Sequence, residues 1–224
     1  MKVAVNGVEL YCEIRGGEPG KEKPSLIMLH GNGEDHTIFD RSAEALSERF
    51  VCYLPDSRGH GQSTPVETLS YQTMAEDVIA LIGALGLRRP VLYGFSDGGI
   101  LGLLVAMKRP ELLSRLIVSG ANLEPRGVKR SLYVSLKLMT LFKKDPKLLL
   151  MLREPQISPE ELKAVTVPTL VLAGSRDLIR EEHTRLIAAS IPGARLLLLE
   201  GETHGSYIVH SEKIARIILE NIPK

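Results

Sequence analysis

The sequence predicts an α/β fold: a mostly parallel sheet of about eight strands, opened by an antiparallel hairpin, with helices on both faces and a short helical lid. Three observations predict it. Short continuous apolar runs such as "SLIMLH", "FVCYLPD" and "PVLYGFS" alternate with stretches of helical spacing. Strands that are apolar on both sides belong to a parallel sheet covered above and below. The chain has 224 residues, enough for one well-buried domain and short for two.

The elements follow in order. "VAVNGVELYCEI" alternates around Asn6-Gly7, the strongest short-range hairpin signal. A Gly/Pro/Lys loop leads into the three apolar runs, which are separated by helical patterns such as "YQTMAEDVIALIGALG". "LLSRLIVSG" continues the alternation, which breaks from about Asn122 to Ala164 and resumes with "PTLVLAGSRD", a helix, "ARLLLLEGETH" and a last helix. The break holds two or three helices with no strand between them. Asp145-Pro146 reads there as cap and first helical residue, and Ser158 with Glu161 as a capping box. Residues 1–122 and 164–224 are therefore expected to form the core, with 123–163 inserted as a small helical cap. Its run "LYVSLKLMTLFKK" is apolar all round, as expected of a lid that packs on the core and lines a pocket, rather than of a basic helix lying on a membrane.

Composition excludes several classes of partner. The formal charge is +1 and no long charged block occurs, so neither nucleic acid nor stable membrane association is expected; a small molecule is. The opening stretch lacks the apolar core of a signal peptide, and no run is long enough to span a bilayer, so a cytoplasmic protein is expected. Cys12 and Cys52 sit in apolar strands and are expected as buried thiols, a disulfide being the alternative, with no metal site.

The chemistry centres on Gly94-Phe95-Ser96-Asp97-Gly98, a G-x-S-x-G pattern between a strand and a helix. Chance produces this pattern in roughly one chain in fifteen of this length, so its placement after the third parallel strand carries the weight. A tight turn there would hold the Ser96 hydroxyl above the sheet, at the positive end of a helix. "HGNG", His30 to Gly33, ends the first parallel strand, and the backbone N–H groups of Asn32 and Asp97 could together form an oxyanion hole. Of six histidines, His30 and His60 read as loop-holding, and His36, His183 and His210 as solvated. His204, in the glycine-flanked "GETHGS", can reach the serine as a base. Asp177, in "AGSRD", can orient it, its competing role being a helix cap.

The order Ser96, Asp177, His204, each after a predicted strand, together with "HGNG", "PDSRGHGQS", "GFSDGG", "AGSRD" and "GETHG", resembles the α/β-hydrolase superfamily in its small esterase and lipase-like branch. That resemblance implies a cofactor-free serine hydrolase of small carboxylic esters, with Arg58 to Ser63 a structural turn. It also implies that aspartate-nucleophile chemistry is absent, since Ser96 holds that place, while lactone, amino-acid ester and carbon–carbon bond hydrolysis, or slow-turnover ligand reception, stay open. Asp97 resembles the "SDGG" elbow of amino-acid ester hydrolases, where an acid pairs with a substrate ammonium; the alternative is that it complements the positive helix end. Activity is expected to rise with pH as the imidazole deprotonates, near the ordinary ~6.5.

Overall fold

Asn6 and Gly7 both adopt positive φ, 43° and 78°, and turn β1 (Lys2–Val5) back on β2 (Val8–Arg15) with Val5 opposite Val8. The computed structural model describes residues 1–17 and 23–222; the part of the expected Gly/Pro/Lys loop at 18–22 lies outside them. The three apolar runs become β3 (Ser25–Leu29), β4 (Val51–Pro55) and β5 (Val91–Phe95), followed by β6 (Arg115–Ser119), β7 (Thr169–Arg176) and β8 (Arg195–Thr203). They form one eight-stranded sheet in the order β1-β2-β4-β3-β5-β6-β7-β8. The first two pairings are antiparallel and the rest parallel.

Each face of the sheet has its own core, which explains the unbroken apolar runs. Ile27 and Leu29 of β3 join one buried cluster with residues of α2 (Tyr71–Ala84), α3 (Asp97–Lys108) and α6 (Glu181–Ser190). Leu26 and Met28 point the other way, into a cluster with α1 (Asp40–Leu46) and α7 (Lys213–Asn221). Cutting such a fully buried leucine to alanine costs about 2–5 kcal/mol, so both faces are needed. Cys12 and Cys52 are free and buried, and burial pushes both thiols up to about 12.

Between β6 and β7 run two helices, α4 (Arg130–Phe142) and α5 (Pro146–Arg153). Asp145 caps α5 by accepting the Lys147 N–H at 2.9 Å, with Pro146 in the first turn. Ser158 and Glu161 make the reciprocal capping pair, at 2.7 and 3.3 Å. The expectation that this segment packs inward holds for only one side of α4. Leu136 is buried, whereas Val134, Leu138, Met139, Leu141 and Phe142 are exposed, because no other described element covers that side. No helix among the described residues is long and apolar enough to cross a membrane.

Candidate active site

The C-terminal ends of β5, β7 and β8 converge on one crevice, and each carries a predicted side chain. Ser96 follows β5 with φ 54° and ψ −116°, a strained conformation for a residue with a side chain. Backbone contacts hold it there: its N–H donates to the Ser119 carbonyl at 2.8 Å, and its own carbonyl accepts from Gly99 and Ile100 at the start of α3. Glycines permit this packing. A Cβ on Gly98 would overlap the Leu29 carbonyl of β3, and one on Gly94 would overlap the backbone of Gly98.

Asp177 follows a register shift in β7 between Gly174 and Arg176, a bulge of the kind that re-aims side chains at strand ends. It does not cap a helix directly, because α6 begins only at Glu181. Its carboxylate accepts the Ile179 N–H at 2.9 Å and lies 2.6 Å from His204 Nδ1. Burial works to raise the Asp177 pKa, but the hydrogen bond and charge of His204 and the N–H groups of Ile179 and Gly174 outweigh it, so the carboxyl sits below its usual range. An ionised carboxylate only accepts, so Nδ1 carries the imidazole proton and Nε2 is left as the acceptor. Nε2 lies 3.1 Å from Ser96 Oγ. The ring also rests against Phe95, centroids 4.8 Å apart.

Gly120, which sequence reasoning passed over, lies beneath the imidazole. Its φ is +61°, and a Cβ there would come within 2.8 Å of His204 Cε1. In sequence it is only the glycine that ends an apolar strand.

Asn32 and Asp97, whose backbone N–H groups are the two expected oxyanion donors, both line the crevice. Neither the Asn32 nor the Asp97 N–H donates to any described residue, whereas the neighbouring Gly31 and Gly98 N–H groups are engaged, with Glu34 Oε2 at 2.9 Å and the His30 carbonyl at 3.1 Å. The Asp97 side chain turns away from solvent and accepts from the Tyr71 hydroxyl at 2.8 Å and from Asn32 Nδ2 at 2.9 Å. Burial raises its pKa to about 6, although both hydrogen bonds and the nearby His204 charge work against the rise. Glu34 is also raised by burial.

A cavity of about 200 Å³ opens over Ser96. Its apolar wall is Val128, Leu132 and Leu136 from α4 and its approach, Met151 of α5, and Leu178 and Ile179; Glu34, Asp97 and Glu154 supply carboxylates, and among the described residues no lysine or arginine lines it. Glu154 also caps α2, accepting the Tyr71 N–H at 2.8 Å. Glu34 and Glu154 carried no motif, and only the fold brings them to the serine.

The remaining histidines divide differently from expectation. His30 and His60 do hold loops: His30 Nε2 accepts the Ser57 N–H at 3.0 Å, and His60 Nδ1 lies 3.0 Å from the Arg58 carbonyl. Burial drives His30 down to about 4. His210 is exposed as expected, but His36 and His183 are buried. His36 pairs with Asp56 at 2.8 Å, and His183 Nε2 accepts the Leu123 N–H at 2.9 Å, because folding sets polar partners opposite both rings. Asp35, His36 and Asp56 have ligand atoms within 4.8 Å of one another, close enough for a metal ion. Asp56, however, already accepts the N–H groups of His36 and Gln62, both at 2.8 Å, besides meeting the imidazole, so both of its oxygens are already engaged within the protein.

Similar proteins bear on this geometry. The mouse protein named serine hydrolase BPHL is 25% identical, over 97% of this chain and 84% of its own. The AB hydrolase superfamily protein YisY of Bacillus subtilis is 30% identical, over 95% of both chains. The enol-lactonase of Burkholderia xenovorans LB400 has the same fold, with a TM-score of 0.81 over 98% of both chains at 22% identity. A family model described as alpha/beta hydrolase fold matches residues 24–142. The chain thus belongs to the alpha/beta hydrolase family.

Proposed function

We propose that this chain is a serine hydrolase of small carboxylic esters, working without a cofactor. The observation that carries the reading is the relay from Ser96 Oγ to His204 Nε2 at 3.1 Å and from His204 Nδ1 to Asp177 Oδ1 at 2.6 Å, at the floor of a small, largely apolar cavity. In the first half of the reaction Ser96 Oγ attacks the ester carbonyl while its proton passes to His204 Nε2. The imidazolium formed is stabilised by Asp177, and the tetrahedral oxyanion by the N–H groups of Asn32 and Asp97. His204 then gives the proton to the departing alcohol, leaving the acyl group on Ser96. In the second half a water loses its proton to His204 and attacks that acyl carbon, and the proton returns to Ser96. The names of the relatives, a serine hydrolase and a lactonase among them, are compatible with acyl transfer of this kind.

One observation favours a second reading. With Glu34, Asp97 and Glu154 and, among the described residues, no lysine or arginine on its lining, the cavity suits an ester whose acyl part carries an ammonium group, held by Asp97 in its ionised form.

Initial rates on p-nitrophenyl esters from acetate to octanoate, with Ser96→Ala as the blank, test the first reading. Turnover lost by at least ~10³-fold in the variant supports Ser96 as nucleophile. Equal rates in both proteins would overturn it, and a single stoichiometric burst without turnover would instead mark a ligand receptor.

A further inference from the structure

Helix α4 has two apolar sides, and only one of them has a partner among the described residues. Leu132 and Leu136 face inward, where they line the cavity over Ser96. Val134, Leu138 and Leu141, spaced four and three apart, fall on one outward stripe beside Phe142. Leu141 is 75% exposed and Phe142 90%. Large apolar side chains gathered at such exposure mark an interaction surface.

The segment that carries that stripe has charge of one sign. From Arg126 to Lys144 there are six cations, Arg126, Lys129, Arg130, Lys137, Lys143 and Lys144, and no acidic residue, against a formal +1 for the whole chain. Lys143 pairs with Asp145 at 2.9 Å and Lys137 stands over the Tyr133 ring. Arg126, Arg130 and Arg180 have no ion-pair partner among the described residues. Those three arginines, with Lys137 and Tyr133, surround a cavity of about 430 Å³ that runs up to Val134 of the stripe. It is distinct from the cavity over Ser96, although Val128 walls both. The Val128–Ile179 bridge and the bonds from Lys129 N–H to Leu178 and from Arg180 N–H to Gly127 hold its two sides together.

We propose that this face docks reversibly on an anionic lipid bilayer, the apolar stripe entering the interface and the cationic cavity receiving a phosphate headgroup. The choice of occupant follows from charge and shape. A second copy of the chain would bring two strongly cationic faces together. A free phosphate would fill the cavity and leave the stripe in water. A bilayer with anionic headgroups meets both features at once, and binding through one short helix with flanking cations is weak enough to be reversible.

The chain contains no tryptophan, so Phe142→Trp supplies a single fluorescent reporter on the stripe. With vesicles of phosphatidylcholine containing about 30% phosphatidylserine, its emission should shift to the blue and wild-type protein should co-sediment, the binding weakening as salt rises. Pure phosphatidylcholine vesicles should give neither effect. Arg126→Gln/Lys137→Gln/Lys144→Gln and Leu141→Ser should each weaken co-sedimentation by at least about tenfold, with circular dichroism checking that they fold. Wild-type co-sedimentation decides the matter if they do not. Failure of wild type to co-sediment, or equal binding to neutral vesicles, overturns the proposal. So does a blue shift without lipid that grows with protein concentration, which points to a second copy. A shift with an acidic Leu/Glu amphipathic peptide but not with vesicles overturns it in favour of a protein partner.

Discussion

Two buried aspartates in this molecule each hold a histidine by Nδ1, at nearly the same distance and at the same end of the sheet. Asp177 meets His204 at 2.6 Å, and Asp56 meets His36 at 2.8 Å. The difference lies at the far nitrogen. His204 Nε2 faces a serine hydroxyl and an open cavity, whereas His36 Nε2 faces the half-buried Glu13 carboxylate of β2 at 3.8 Å. Both carboxylates also accept backbone N–H groups, but those on Asp177 come from its own turn, at Ile179, whereas those on Asp56 come from His36 and Gln62 and tie two loops together. On the proposed reading an aspartate–histidine contact is not enough for catalysis; the second nitrogen must also be left as an acceptor beside a serine hydroxyl.

The largest effect should come from breaking the first pair. In Asp177→Asn the amide can donate to Nδ1, which leaves the imidazole proton on Nε2, where it cannot accept from Ser96. We expect kcat on a short p-nitrophenyl ester to fall on the order of 10⁴-fold with the fold intact by circular dichroism. A loss below about tenfold would mean that Asp177 does no more than its Ile179 contact. A smaller effect should follow from displacing the ring without touching a charge. Gly120→Ala sets a methyl against His204 at a positive φ, and a misplacement of about 1 Å costs on the order of 10²-fold in kcat. A comparable change at Gly7, whose Cβ meets nothing within 4 Å, should leave kcat unchanged and cost only stability.

Much of this contrast was legible in the sequence, and the illegible part has a common cause. The strands β3 to β8 were readable as continuous apolar runs and β1 and β2 from their alternation around Asn6-Gly7, and Ser96, Asp177 and His204 because each follows a predicted strand within a short motif. His36 was misread as solvated because its partner, Asp56, lies 20 residues away, and no local pattern reports it. Gly120 escaped for the same reason: the ring above it comes from a loop 84 positions later. Helix α4 showed apolar residues all round, but which side would stay uncovered depends on where α5 and the sheet lie.

A third buried carboxylate sharpens the contrast from another side, because Asp97 meets a hydroxyl and an amide in place of an imidazole. Its pKa stands at about 6 against an ordinary 3.8, so it is neutral below that range and ionised above. The sign for stability follows: between about 3.8 and about 6 the unfolded chain gives up this proton while the folded chain keeps it, so this group lowers stability as pH rises. Asp177, whose pKa is depressed, works the other way, its contribution being lost as acid protonates it. For activity, the kcat/KM ratio of an amino-acyl ester to its uncharged isostere cancels the shared dependence on His204. That ratio should rise several-fold, up to about tenfold, as pH passes through about 6, until the α-amino group deprotonates near 7.7–8.0. In Asp97→Asn it should stay flat, and a flat ratio in the wild type would remove the ammonium reading.

The smallest effect on turnover is expected at the second pair, and it is the most direct check on the contrast. Asp56→Asn leaves the His36 contact with a neutral partner and replaces one accepting oxygen by an NH₂ group, facing either the Gln62 N–H or the His36 side. Hydrogen bonds to a buried charge contribute about 1.5–3 kcal/mol, and stability should fall by that order, visible in a urea melt with an unchanged slope. Turnover per folded molecule should stay within about twofold of wild type, because neither His36 nor Asp56 lines the cavity over Ser96. A kcat loss approaching that of Asp177→Asn would show that the loop tied down by Asp56 positions the His30–Gly33 turn, and with it the Asn32 N–H. The two pairs would then be parts of one device, separated in the sheet but acting on the same oxyanion.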